Sequence, residues 1–420
     1  MYNTTAIQHC TPVSNSNLED IPTIIMEEFL RASKQALEGL ENFRKIKVVM
    51  GNESCDLDSA VCALVHGFWH FNKLKKEHVD DVAVIPLLNV TKRMFKIKTE
   101  VVYVMKENNI PLELLTFRDE IDLRELSERQ MLELSLVDHH TLTDYDVSLA
   151  GSVVEVIDHR PQDTNWPWTG RDINLEKVGS CATLVARNIL DKNPRLVDQQ
   201  ISSLLKGPIL IDTSNFSESV ARATQLDIQV MQELEKISTN TEPDGGSSTG
   251  CGDSSGKSTP LDTQTNRNKI YSAILNAKTD ISCLSPEDLI LKDLKFVNGI
   301  PIPGLPILVE EFLNLNAALE ALNSFTRERE SQHQHRLMVI LGMNLKGQVV
   351  KRDLGVFSFL PNDLENKIVK ALESVDSGLD LSPSLSTLKE NWSLKLYKQG
   401  NVRATRKQIL PIIQSASAGC

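Results

Sequence analysis

The chain has 420 residues, of which 41% are hydrophobic, and its 45 Lys and Arg residues against 56 Asp and Glu give a formal net charge of -11. This length predicts two or three domains with sizeable cores, and the acidic balance argues against a general nucleic-acid-binding protein. No apolar run approaches the ~20 residues of a membrane span, no signal peptide is evident, and seven scattered cysteines predict reduced thiols.

The first predicted domain, residues 21–238, follows a flexible tail at residues 1–20 and alternates short apolar strands with helix-like segments. This alternation is typical of an α/β domain with a mostly parallel sheet. The predicted strands are KIKVVM, VAVIPLL, LELLTF, LELSLV, SVVEVI and GPILI. The predicted helices lie in IPTIIMEEFLRASKQALEGLENF, which begins at Ile21, and around AVCALVHGFWHF, VVYVMKENN, LRELSERQ and SCATLVARNIL.

Residues 239–267 are dominated by Gly, Ser, Thr, Asp and Pro without apolar periodicity, which predicts a flexible Gly/Ser-rich linker. Residues 268–420 then form a predicted second, smaller α+β domain. Its helices begin with NKIYSAILNAK and include VEEFLNLNAALEALNSF, its strands include RLMVILGMN and GVFSFL, and it closes with RKQILPIIQSA.

Acidic residues and histidines follow four of the predicted strands. Ligands of open α/β sheets bind at the carboxyl ends of the strands, so we expect these side chains to converge on one cleft. They are Asp56 and Asp58 after KIKVVM, Asp138, His139 and His140 after LELSLV, Asp158, His159 and Arg160 after SVVEVI, and Asp212 after GPILI.

Each of these positions also has an ordinary structural interpretation. Asp58 alone could cap the next helix, Asp212 could cap a turn, and His139 with His140 could be a surface pair. Taken together, the four strand ends favour a metal site. The four carboxylates of Asp56, Asp58, Asp138 and Asp212 would balance two divalent cations, Mn²⁺ or Mg²⁺, which can polarise a phosphoryl group and activate a water molecule.

Six motifs resemble one protein family in the family's order: GNESCDLDS, FRDEIDL, VDHH, VIDHRP, VGSCATLV and RKQILP. The chain resembles the prune and exopolyphosphatase branch of the DHH phosphoesterase superfamily, in which a DHHA2 domain follows the DHH domain. The resemblance implies a DHH domain at residues 21–238, a DHHA2 domain at 268–420, and hydrolysis of a phosphoanhydride such as short-chain polyphosphate or pyrophosphate.

The resemblance also implies roles for individual residues. Asp56 would bind the first metal and Asp58 the second, Asp138 would bridge both, and His159 with Asp212 would complete the coordination shell of the second metal. The first metal site has Asn52 where the pyrophosphatases carry a histidine. His139 and His140 would orient the bridging carboxylate or contact phosphate. The implied substrate-binding residues are Arg160, Lys295, Arg406 and Lys407.

Two other functions stay open at this point. Related folds cleave cyclic-nucleotide or nucleoside phosphodiesters, and a regulatory or scaffold protein could retain the fold with weak catalysis. The expected partners are therefore polyphosphate, pyrophosphate or nucleotide phosphates, with protein partners left open. We expect neither nucleic-acid nor membrane binding, and a cytoplasmic or nuclear location.

Overall fold

The computed structural model describes residues 25–239, 260–328, 336–344, 350–359 and 363–418. Two six-stranded sheets, each covered by helices, organise these residues. The first sheet is parallel throughout, and the second is mixed. The predicted fold class, an α/β domain followed by a smaller α+β domain, is confirmed. No helix in these ranges is long and apolar enough to cross a membrane.

The first sheet has the strand order β3-β2-β1-β4-β5-β6, and apolar cores fill both of its faces. Its strands are β1 (Lys45–Met50), β2 (Val82–Leu88), β3 (Thr116–Phe117), β4 (Leu132–Val137), β5 (Val153–Asp158) and β6 (Asp172–Leu175). The helices beside it are α1 (Met26–Ala36), α2 (Leu57–Lys76), α3 (Lys92–Phe95), α4 (Thr99–Glu107), α5 (Leu123–Glu128), α6 (Cys181–Lys192), α7 (Gln199–Asp212), α8 (Gln225–Thr239) and α9 (Pro260–Thr279).

The prediction that GPILI forms a strand is wrong, because this segment is the last part of α7. The short apolar run continues a helical pattern that begins earlier, with Ile201, Leu204, Leu205 and Ile209 all buried in one core. Helix α7 also accommodates Pro208 in its interior. Asp212 therefore stands at the end of a helix and not at the end of a strand.

Two further boundaries differ from the prediction. LELLTF contributes only the two-residue strand β3, because Leu112–Leu114 form a 3-10 turn directly after Pro111. The predicted linker is too long at its C-terminal end, since α9 begins at Pro260 and packs on α4 and α7. Residues 240–259 of that linker, like the predicted tail at residues 1–20, lie outside the described residues.

The second sheet has the order β11-β12-β10-β9-β8-β7. The predicted helix VEEFLNLNAALEALNSF is interrupted, because α11 ends at Leu313 and α12 begins at Ala318. The elements are α10 (Pro286–Lys292), β7 (Leu294–Val297), β8 (Ile300–Leu305), α11 (Val309–Leu313), α12 (Ala318–Glu328), β9 (Leu337–Asn344), β10 (Lys351–Phe359), α13 (Asp363–Glu373), β11 (Leu381–Leu388), β12 (Trp392–Gln399) and α14 (Arg406–Ala416).

The two domains meet beside the carboxyl end of β2. Lys292 of α10 donates to the carbonyl oxygen of Ile97 and to the Thr99 hydroxyl, each at 2.8 Å. Lys96 forms an ion pair with Asp288 at 2.8 Å. These contacts hold α10 of the second domain against the junction of α3 and α4, in the segment that follows β2 along the chain.

Candidate metal centre

The turns after β1, β4 and β5 bring acidic side chains to one edge of the first sheet. Asp56 lies in the β1–α2 turn, and its carboxylate accepts from the backbone N–H of Ser59 at 3.1 Å, which makes it the N-cap of α2. Asp138 follows β4 directly and adopts a φ of 60°. This left-handed conformation is one that Asp tolerates better than most residues, and it turns the carboxylate into the cleft.

Asp58 lies inside the first turn of α2 and is fully buried. Its carboxylate accepts from the Ser180 hydroxyl at 2.9 Å and from the backbone N–H groups of Cys181 and Ala182 at 2.6 and 2.8 Å. The N-terminus of α6 therefore holds Asp58, because its first N–H groups have no partner within the helix. Asp58 is not the cap of its own helix, which was the structural alternative.

Asp138 is held from two sides. Its Oδ2 accepts from the Ser59 hydroxyl at 2.7 Å and from the Asn52 amide at 2.8 Å. Its Oδ1 faces the Nε2 of His159 at 3.3 Å and has no well-aligned hydrogen bond among the described residues. The buried Oδ1 is thus available to a ligand.

His159 presents one nitrogen to this site. Its Nδ1 lies 3.1 Å from the carbonyl oxygen of Val178, so Nδ1 carries a proton and donates it there. The Nε2 then points at Asp138, in the orientation of a metal-binding imidazole whose other nitrogen is held by a carbonyl group.

One cavity of about 280 Å³ joins these side chains. Asp212 reaches it from the end of α7, so all four predicted segments contribute to the cavity although one of them is a helix. His139, His140 and Asp158, which were expected in the same cleft, do not line it. The cavity is lined by Asp56, Asp58, Asp138, His159, Arg160, Gly179, Asp212 and Arg222. An adjoining cavity of about 290 Å³ shares Arg160 and also contains Asn52 and His139.

Burial and mutual repulsion both disfavour the charged forms of the carboxylates in this cavity. Burial and the nearby Asp212 raise the pKa of Asp58 to about 8, and burial and Asp58 raise the pKa of Asp138 to about 7. Burial and Asp56 raise the pKa of Asp212 to about 6. Burial lowers the pKa of His159, but its contact with Asp138 outweighs this and raises the value to about 9. The positive charge of His159 and Arg160 nearby does not outweigh the burial and mutual repulsion of these carboxylates.

The donor set fits divalent cations. Carboxylate oxygens suit Mg²⁺ and Mn²⁺, and one imidazole shifts preference toward Mn²⁺. Asp58, Asp138 and His159 offer atoms that all lie within 4.8 Å of one another. Cations placed here would relieve the repulsion that raises the three carboxyl pKa values.

Asn52 differs from the expected metal ligand. Its amide nitrogen donates to Asp138, and its oxygen accepts from the Ser54 hydroxyl at 2.6 Å and the Ser54 N–H at 2.9 Å. A ligand role would require this oxygen to leave Ser54. In the structure Asn52 orients the Asp138 carboxylate.

The two histidines after Asp138 separate in space. His139 lines the adjoining cavity, with its Nδ1 3.0 Å from the Val137 carbonyl oxygen. His140 has its Nδ1 2.5 Å from Asp158 and accepts from the Asp163 N–H at its Nε2. Both nitrogens of His140 are thus occupied away from the cleft. A direct role in catalysis does not fit His140, which supports the turn after β5.

The predicted basic residues of the second domain do not line either cavity. Arg406 forms an ion pair with Asp293 and donates to the Asp293 carbonyl oxygen at 3.0 Å. Lys295 on β7 and Lys407 on α14 are exposed. A contact between these three side chains and a substrate in the cleft stays a prediction.

Sequence reasoning missed three contributors to the centre. Arg222 comes from the irregular segment between α7 and α8, where no motif or period marked it. Ser59 lies in the motif GNESCDLDS, whose pattern does not show that the Ser59 hydroxyl donates to Asp138. Asp158 follows a strand as expected, but its role is in the backbone: it accepts from the N–H of His159 at 2.7 Å and so shapes the turn after β5.

Comparisons with known proteins agree with the motifs. Residues 272–416 match the family model of the DHHA2 domain. The chain is 32% identical over 400 residues to human exopolyphosphatase PRUNE1, covering 93% of this chain and 79% of the relative. It is 25% identical over 391 residues to a putative exopolyphosphatase of Schizosaccharomyces pombe, covering 88% and 90%. A putative family II inorganic pyrophosphatase of Methanococcus jannaschii aligns with a TM-score of 0.45 at 16% identity, covering 88% and 99%.

Proposed function

The chain belongs to the family of the PRUNE1 exopolyphosphatases, as its motifs predicted, and we propose that it is a metal-dependent phosphoanhydride hydrolase. The observation that carries this proposal is the cavity in which four carboxylates and His159 converge beside two arginines. Such a site combines ligands for divalent cations with positive groups for phosphate.

We assign the metal ligands as follows. Asp56 would serve one cation, and Asp58, His159 and Asp212 the other. Asp138 would bridge both, using the Oδ1 that has no well-aligned partner among the described residues. When bound, Mn²⁺ or Mg²⁺ supplies a polarised phosphoryl oxygen and a water molecule of lowered pKa.

The chain's own residues position the reacting groups. Ser59 and Asn52 fix the Asp138 carboxylate through two hydrogen bonds. Arg160 donates to the Asp138 carbonyl oxygen at 2.6 Å, and its half-exposed guanidinium lies between the two cavities. It is placed to contact a phosphate next to the reacting one. Arg222, which also lines the carboxylate cavity, would neutralise further substrate charge.

The adjoining cavity favours short inorganic polyphosphate as substrate. Its polar lining, which includes His139, Thr141 and Thr143, offers hydrogen-bond partners to a second or third phosphate. Lys295, Arg406 and Lys407 would bind the substrate's outer phosphates if the second domain moves toward the cleft. We infer pyrophosphate as a shorter substrate of the same site.

The decisive experiment measures phosphate release from pyrophosphate, tripolyphosphate, longer polyphosphate and cyclic AMP, each with Mn²⁺ and with Mg²⁺. We expect release from tripolyphosphate with either ion and none without metal. Cleavage of cyclic AMP alone would favour the phosphodiesterase alternative. Release from none of the four, by protein that binds Mn²⁺, would favour a scaffold function.

A further inference from the structure

A second cluster of metal-binding residue types lies deeper in the first domain. His66 and His70 are one turn apart on α2, and both Nε2 atoms reach the same oxygen of Glu155 on β5, at 2.9 and 2.8 Å. The three ligand atoms lie within 4.8 Å of one another. We call these three residues the histidine cluster.

The histidine cluster is largely shielded from solvent. The side chain of His66 has no exposure, and those of His70 and Glu155 are 10% and 13% exposed. The ring of Trp69 stacks on His66 with centroids 5.3 Å apart and covers one side. Polar groups in such a position normally satisfy all of their hydrogen-bonding atoms.

Hydrogen bonding alone leaves this cluster incomplete. Both rings direct a nitrogen at one carboxylate oxygen, and the buried Nδ1 of His66 has no partner in the part of the chain that the structure describes. Zinc bound at Nε2 would leave the ring proton of His66 on this Nδ1, so the feature that points to an ion is the convergence of the two Nε2 atoms and the carboxylate of Glu155.

The geometry is close to that of a metal site. Two imidazole nitrogens and one carboxylate oxygen are the protein ligands of many zinc sites with one open position. Around a tetrahedral zinc ion with bonds of ~2.0–2.1 Å, ligand atoms stand about 3.3 Å apart. The present separations to Glu155 would have to grow by only about 0.5 Å.

The cluster is separate from the candidate metal centre. Glu155 lines another cavity, of about 460 Å³, which is bordered by β6 and α6 and shares no lining residue with the carboxylate cavity. Asp58 and His66 are eight residues apart on α2, or about 12 Å along the helix axis. The open cavity could deliver a metal ion and a water molecule to Glu155.

We propose that His66, His70 and Glu155 bind a zinc ion, with water from this cavity as the fourth ligand. The bound ion joins α2 to β5, the two elements whose ends carry Asp58 and His159. Its role is therefore structural, since it fixes the spacing of two elements beneath the candidate metal centre. This proposal does not depend on the proposed hydrolase activity.

Cobalt absorption tests the proposal without relying on activity. Tetrahedral Co²⁺ absorbs visible light far more strongly than octahedral Co²⁺, so the two sites have different spectra. We expect the full chain to show the intense tetrahedral band with one equivalent of Co²⁺, and Zn²⁺ to remove it. No such band in the unaltered protein would overturn the proposal.

Variants assign the band to its ligands. His70→Ala and the isosteric Glu155→Gln should abolish it and weaken Zn²⁺ binding at least about 100-fold in a chelator competition, since even outer-shell changes cost 10–100-fold. The exposed His78→Ala and the cleft variant Asp138→Asn are controls that should keep it. A band that survives in His70→Ala, or disappears in Asp138→Asn, would place the metal elsewhere.

Discussion

The carboxylate cavity and the histidine cluster both use residues of α2 and of β5 or the turn after it, yet their charges behave in opposite ways. In the cavity, burial and mutual repulsion raise the pKa of three aspartates. In the histidine cluster, burial and then His66 lower the pKa of His70 to about 4. Burial raises the pKa of Glu155, but the two histidines outweigh this and hold it well below its usual value.

The difference shows that the mixture of carboxylates and imidazoles in a buried site determines whether the site needs additional positive charge. Four carboxylates need positive charge, so the cavity should collect protons or cations. In the histidine cluster, the single carboxylate of Glu155 is already stabilised by hydrogen bonds from His66 and His70. A metal ion binds there only if its coordination bonds replace these two hydrogen bonds. The following experiments act on one cluster while the other serves as reference.

The largest expected effect comes from Asp138→Asn. The change removes a charge shared by two cation shells, so turnover should fall at least about 10³-fold, roughly 4 kcal/mol of transition-state stabilisation. Without metal the variant should melt at a higher temperature than the unaltered protein, because repulsion with Asp58 is relieved. Phosphate-release assays and calorimetry measure the two effects.

Asp191→Asn, an exposed position beside the histidine cluster's cavity, is the matched control and should change neither quantity. If Asp138→Asn keeps near-normal turnover, the bridging assignment is wrong and the cavity loses its central residue.

Asn52→His makes the carboxylate cavity more like the histidine cluster. An imidazole beside Asp138 should tighten Mn²⁺ binding by roughly 10–100-fold if its ring reaches the ion, and should shift preference toward pyrophosphate. Mn²⁺ titration calorimetry of both proteins tests the first part. Equal affinities would show that position 52 serves only to orient Asp138, as the present hydrogen bonds suggest.

A smaller effect concerns the second domain, which we expect to serve only the carboxylate cavity. Arg406→Ala should raise the KM for tripolyphosphate about tenfold, equivalent to about 1.4 kcal/mol, as expected for one charge-assisted hydrogen bond. Asp293→Ala removes the present partner of Arg406 and should leave KM unchanged or lower it. If both variants only lower the melting temperature and neither moves KM, Arg406 is structural.

The smallest effect is the pH dependence of the metal-free protein. Folded pKa values of about 6 to 8 for three aspartates and about 9 for His159 exceed their ordinary values of 3.8 and 6.5. The folded state therefore binds more protons than the unfolded state, and stability should fall as pH rises from about 4 to 9.

Melting temperatures across this range, with and without Mn²⁺, check this sign. Saturating Mn²⁺ should stabilise the protein more at high pH, where fewer protons compete for the carboxylates. A metal-free melting temperature that rises between pH 5 and 8 would contradict the repulsion described for the cavity.

The sequence predicted most of the first sheet and of the cavity for one physical reason. Strands β1, β4 and β5 are apolar runs that stop at acidic residues, and parallel strands place their carboxyl ends at one edge. The sequence predicts Asp212 in the cavity but places it after a strand instead of at the end of helix α7. A short apolar run such as GPILI does not distinguish a strand from a buried helix. Arg222 could not be predicted from the sequence, because it lies in irregular backbone, where residues show no helix or strand periodicity.

The histidine cluster was beyond sequence reasoning for another reason. His66 and His70 looked like part of an apolar helix, and Glu155 is 85 residues from the nearer of them. Only the packing of α2 against the first sheet brings the two histidines next to Glu155. Likewise, the occupied nitrogens of His140 depend on Asp158 and Asp163, which a motif of consecutive letters does not reveal.

The left-handed backbone at Asp138 restricts how this position can vary in evolution. Asp, Asn and Gly accept such a conformation with little strain, whereas β-branched residues do not. Asp and Asn codons differ by a single base. A single base change in this gene could thus convert the proposed hydrolase into a folded protein without turnover. The residue at position 138, Asp or Asn, would then show which of the two proteins a related gene encodes.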